Sequence, residues 1–171
     1  MLDPRLRIIP ASGLVAGAAL GMAGSFVPSV SLRGLLWGLD GVCLIVAVAL
    51  LTVHHLRKGN DVAAAGFLVF LAGQALVLAT APMDPVAGRE IFGAGVALWA
   101  TSLMLVGSCC LMPVWIRVVG VIAALLFAVV ALQIFMGHPL TAQSEPLPAF
   151  AYPVFCLALI GWAWQHYRGA A

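Results

Sequence analysis

Residues 34–55 read GLLWGLDGVCLIVAVALLTVHH, a run of 22 positions in which Asp40 is the only acid and no lysine or arginine occurs. That length matches the roughly 20 apolar residues a helix needs to cross the hydrocarbon layer of a membrane. Working outward, five further apolar runs follow the same pattern, and Pro, Gly or charged clusters separate them. The expected spans are 8–28, 34–55, 62–81, 90–111, 114–136 and 148–167, which consume nearly the whole chain as one transmembrane domain over 1–171. The expected fold is therefore an all-α, polytopic membrane protein: a bundle of six transmembrane helices with short loops.

Composition excludes the alternative. Of 171 residues, 64% are hydrophobic and 8% charged, with a mean hydropathy of +1.13; soluble domains carry about 25% charged residues. Six acids and eight bases are too few to cover the surface of a water-soluble globule of this size. The formal net charge of +2 comes without any Lys/Arg-rich run, so no nucleic-acid partner is expected; the expected partner is the lipid bilayer. The first 24 residues resemble a secretory leader, with Arg5 and Arg7 ahead of an apolar run ending in small residues, but are read as the first spanning helix.

The breaks have physical causes. Pro28 and the Ser-Val-Ser-Leu-Arg stretch follow the first helix, Arg57 to Asp61 the second, Pro82 to Pro85 the third, and Gly137, His138 and Pro139 the fifth. Pro113 marks the tightest break. Arg5, Arg7, Arg57, Lys58, Arg117 and Arg168 fall on one side of the expected topology and only Arg33 and Arg89 on the other. The positive-inside rule makes the first side cytoplasmic, with both termini there, in a membrane of the bacterial inner (plasma) type. Trp115, Trp162, Trp164 and Tyr167 are expected at that interface, and Trp37 and Tyr152 at the opposite one.

Gly13, Gly17 and Gly21 recur every four residues and clear one face of the first helix. That face is expected to pack closely within the bundle, or alternatively against a second copy or a larger complex. Gly34, Gly38 and Gly41 repeat the pattern more weakly in helix two. A shift of 84 or 85 residues aligns Pro28 with Pro113, Arg33 with Arg117 and His54 with His138. With three helices per half, such a repeat would be inverted in the membrane, a weak 3+3 arrangement with a ligand site near the midplane.

Asp40 is the residue that asks for a function. A bare carboxylate in the hydrocarbon costs at least about 2.5 kcal/mol, so it must face the interior with a partner or water. As a structural group it would reach toward Arg33 or a neighbouring helix. As a site, its expected companions at similar depth are Gln74, Thr101 and Gln133, with Asp84, Arg89, Glu90, His138 and Glu145 around the mouth. Glu90 also suits the positive end of helix four. His54, His55 and His166 are expected at cytoplasmic helix ends, meeting headgroups; His54 and His166 are the pair that would ligate a haem b iron from opposite faces. No cofactor is otherwise expected. Cys43, Cys109, Cys110 and Cys156 lack metal or redox spacing, and no hydrolase, protease or phosphate-loop motif occurs. The expected function is thus a small transporter, channel or ligand-binding membrane protein with a polar pocket in the outer half. A non-catalytic subunit or assembly factor of a membrane complex is the alternative, and a membrane redox protein binding haem, or a lipid-modifying enzyme, is a third reading for which only the histidines speak; no catalytic motif is visible.

Overall fold

The computed structural model describes residues 5–81, 83–84 and 86–169, with Arg5 and Leu6 in backbone only. Six α-helices follow one another: α1 (Arg5–Phe26), α2 (Val30–Arg57), α3 (Asp61–Ala79), α4 (Arg89–Ser108), α5 (Val114–Phe135) and α6 (Leu147–Tyr167). All six are long and apolar enough to cross a membrane. The described residues contain no strand.

Most boundaries fall where Pro, Gly and charge place them. Helix α2 starts four residues sooner than expected because Ser29, read as part of a loop, is its N-cap; the hydroxyl accepts the amide N–H of Leu32 at 3.4 Å. Helix α4 ends early, at Ser108, and Cys109 is already extended. Pro113 then caps α5, so the break between helices four and five is real. Pro82 and Pro85, expected to end the third helix, lie outside the described residues, as does the side chain of Arg5.

The helices form a closed ring. Each packs along its two sequence neighbours, and α6 returns to α1. Among the described residues no helix backbone crosses the centre, which aromatic side chains fill instead. Phe67, Phe70, Phe155 and Trp162 are almost wholly buried there. The outward faces carry Leu35, Val42, Val46, Leu68, Ile122, Leu125, Leu132, Leu157 and Ile160. Asp40, Gln74, Ser102, His55, Gln165 and His166 are all buried inside. Polar groups inside and aliphatic groups outside is the pattern that lipid as solvent demands.

Close approach between helices comes from glycine. A side-chain carbon added at Gly13 would lie 2.9 Å from Ala47 Cβ and 3.0 Å from the Cys43 carbonyl oxygen, so α1 sits directly on α2. An equally tight contact, without any four-residue glycine spacing, joins α3 and α4: a carbon at Gly73 would meet the Gly95 carbonyl at 2.8 Å, and one at Gly95 the Gly73 carbonyl at 2.9 Å. Gly34 and Gly38 face open space, while Gly41 backs onto Leu78. Trp162 departs from its expected interfacial place. It is 2% exposed and packs edge-on to Phe67 at 5.2 Å, whereas Trp164, two residues on and thus about 200° around the helix, is on the outside.

Candidate functional site

The inward stripe of α2 runs through Asp40, Leu44, Ala47, Val48, Leu51 and His55, the spacing of one helical face. Fifteen residues, about 22 Å of helix, separate its two polar members. The stripe therefore ends in two different polar sites.

At the Asp40 end lies a cavity of about 470 Å³ reaching to the 80–88 and 137–146 loops. Asp40, Gln74, Trp99, Phe127 and Tyr152 line its depth; Arg33, Asp84, Arg89 and Gln143 line its mouth. Asp40 is 6% exposed and Gln74 2% exposed. The Asp40 carboxylate rests over the bare backbone of α1: a side-chain carbon at Gly17 would stand 3.2 Å from Oδ1, and one at Gly21 2.9 Å from Oδ2. Two of the glycines expected only to pack helices thus also make room for the acid.

The expected partner of Asp40 is not Arg33. The Arg33 guanidinium donates to the Val27 carbonyl (3.3 and 3.1 Å), the Pro28 carbonyl (3.3 Å) and Gln143 Oε1. It closes the end of α1 and ties down the α5–α6 loop. Arg117 closes the end of α4 in the same way, donating from Nε to the Gly107 carbonyl at 2.8 Å. Asp40 instead accepts a hydrogen bond from Tyr152 on α6 at Oδ2, at 3.5 Å, long for an O–H···O bond. Oδ1 has no partner, nor have Gln74 Oε1 and the Trp99 indole N–H. Buried polar atoms are nearly always satisfied, and here four unsatisfied ones, with Arg89 Nε, belong to residues lining one cavity.

Of the four residues expected to line a polar pocket, Asp40 and Gln74 line this cavity, and Thr101 and Gln133 do not. Thr101 is exposed on the outer face of α4, its hydroxyl donating back to the Ala97 carbonyl at 2.9 Å. The inward stripe of α4 is Val96, Trp99, Leu103 and Val106, and two residues from Trp99 is nearly the opposite side of the helix. Gln133 is half-buried near the end of α5, where Phe127 and Val130 supply the cavity wall. Of the residues expected at the mouth, Asp84 and Arg89 line it; Glu90, His138 and Glu145 do not. Trp99 and Tyr152 were missed. An indole N–H in the middle of a span carries the same signal as a glutamine and marks Trp99 as a polar residue in the sequence.

At the opposite end of the stripe, His55 and His166 are 0% and 5% exposed, so they are not histidines at the headgroups. Their Nε2 atoms are 2.9 Å apart. His166 Nδ1 lies 2.8 Å from the Trp162 carbonyl, which only accepts, so Nδ1 carries the proton and, in the neutral pair, Nε2 accepts from His55. That leaves His55 Nδ1 bare and without a partner, its ring stacked on Phe67 at 5.3 Å. His54 approaches His166 to 5.9 Å between ring centres, but both nitrogens of His166 are engaged and neither is free to ligate a haem iron. No group of three metal-ligating side chains occurs among the described residues.

Between the two ends the rings are continuous: Phe67 meets Trp162, Trp162 meets Phe70 at 6.1 Å, and Phe70 stacks on Trp99 at 6.2 Å and on Phe155 at 5.7 Å. This column separates the cavity from the histidine pair. No protein-family model, curated protein or solved structure matches the chain.

Proposed function

We propose that this chain is a small solute-binding membrane protein of the transporter type. It would take its ligand into the Asp40 cavity from the non-cytoplasmic side of a bacterial-type inner membrane. One observation carries the reading: Asp40 Oδ1, Gln74 Oε1 and the Trp99 N–H are buried and unpartnered in residues that line a cavity of about 470 Å³, within the size range of small-molecule sites. Unmet hydrogen-bonding groups in a low-dielectric space cost stability, and a ligand that meets them recovers it.

Charge distribution supports the direction. Arg33 and Arg89 line the cavity mouth, and the other six bases belong to the opposite end of the topology, which the positive-inside rule assigns to the cytoplasm. The aromatic column closes the cavity toward that end. Passage of a solute would require the column to part, whereas binding alone would not.

The test is thermal unfolding of the detergent-solubilised chain against a panel of amino acids, amines, carboxylates and polyols. At least one class should raise the midpoint of the native protein and fail to raise that of Asp40→Asn. Uptake of that class into proteoliposomes then separates transport from binding. A panel that stabilises neither protein, or both equally, would defeat the proposal.

A further inference from the structure

The unfilled groups in the cavity specify the charge of the ligand, an inference that rests on the solute-binding reading above. Four charged side chains line the cavity: Arg33, Asp40, Asp84 and Arg89. Two already have their bonds. Arg33 is held by two carbonyls and Gln143, and Asp84 Oδ1 accepts the turn amides of Val86 and Ala87 at 2.9 and 3.2 Å. The other two do not. Asp40 has a single long bond and a bare Oδ1. Arg89 donates once, at 3.3 Å, to the Gly137 carbonyl, and its Nε is buried without a partner.

One acid and one base are therefore left waiting, and they differ in depth. Arg89 is the first residue of α4, and Trp99, beside the deep part of the cavity, follows ten residues later, about 15 Å along the axis. Asp40 stands between them: its neighbour Gly41 backs onto Leu78 near the end of α3, and Val77 beside it abuts Gly95, six residues or about 9 Å below Arg89. We propose that the ligand is a zwitterion whose charges stand at opposite ends of an apolar body. Its ammonium enters first, against Asp40 and Gln74; its carboxylate stays at the mouth with Arg89; its body lies on Trp99, Phe127 and Tyr152. An ammonium is the donor that Asp40 Oδ1 and Gln74 Oε1 both lack. An anion alone would leave Asp40 unpaired in a low dielectric, which is the costly state, and a cation alone would leave the half-buried Arg89 without its counter-charge at the mouth. Aromatic walls suit both an apolar body and a nearby cation.

Isothermal titration of the full chain in detergent at pH 7 tests this with four matched probes: 4-(aminomethyl)benzoate, benzylamine, benzoate and benzyl alcohol. The zwitterion is expected to bind at least about tenfold more tightly than each of the others. Asp40→Asn should reduce it to the level of benzoate, and Arg89→Gln to the level of benzylamine. Trp99→Phe trims the aromatic wall on which the body rests and should cost roughly threefold to tenfold, which keeps the test open if the Arg89 variant does not fold. Benzylamine or benzyl alcohol binding as tightly as the zwitterion, with loss in Asp40→Asn, would overturn the zwitterion and leave the cavity reading intact. No binding by any of the four would overturn both.

Discussion

At the scale of single residues, Asp40 is the clearest case of a buried polar group left short of partners. It is buried, meets no base and has one long hydrogen bond. Removing an unpaired buried charge relieves a cost, and sites that bind ligands commonly carry such costs. Asp40→Asn should therefore leave the thermal midpoint of the ligand-free protein unchanged or raise it. Arg33→Gln should lower it, since Arg33 holds the end of α1 and the α5–α6 loop. Because the two side chains have no bond in common, the double variant should be additive within about 0.5 kcal/mol. Coupling well beyond that, measured by unfolding in detergent, would show that Asp40 and Arg33 do interact. The histidine pair illustrates the opposite economy, with three of its four ring nitrogens committed to bonds inside the bundle.

Glycine decides the geometry of the helical elements, and not every glycine does so. The four-residue spacing in α1 marks a face that lies on α2, and Gly17 abuts Leu44 there. Gly38, although part of a similar pattern, faces open space. Gly17→Ala should lower the unfolding midpoint by an amount typical of overpacking, about 1–3 kcal/mol, whereas Gly38→Ala should be neutral or mildly stabilising because alanine favours helix. Equal losses for the two, by calorimetry in the same detergent, would mean that Gly38 meets another chain. Spacing in the sequence identifies small-residue faces, but only the neighbouring helix distinguishes a contact from an open groove.

For the whole molecule, the ring of six helices leaves two polar sites at opposite ends and an aromatic column between them. The α5–α6 loop covers the cavity, tied to α2 by Arg33–Gln143 and to α4 by Arg89 and Gly137. If the cavity opens away from the cytoplasm, a cysteine at Gln143 should react with a membrane-impermeant thiol reagent added to the periplasmic face of spheroplasts. One at Lys58 should react only after permeabilisation; the reverse pattern would invert the topology and the proposed direction of entry.

The number of helices, their limits to within four residues and the presence of an intramembrane acid were all legible in the sequence, because each depends on local properties. Hydrophobic length sets a span, Pro and Gly end it, and a charged residue in an apolar run stands out by composition alone. Asp40 and Gln74 could be named for that reason. Which faces meet was not legible, since apolar residues occupy the lipid side and the protein side alike and leave little amphipathic signal to choose between them. Thr101 turned outward and Trp99 inward on that account. Tertiary structure alone decided that Tyr152 reaches Asp40 from α6, that Arg33 does not, and that His55 and His166, 111 residues apart, close on each other. Ring closure between the first and last helices brings those groups together, and no local pattern in the chain encodes that contact.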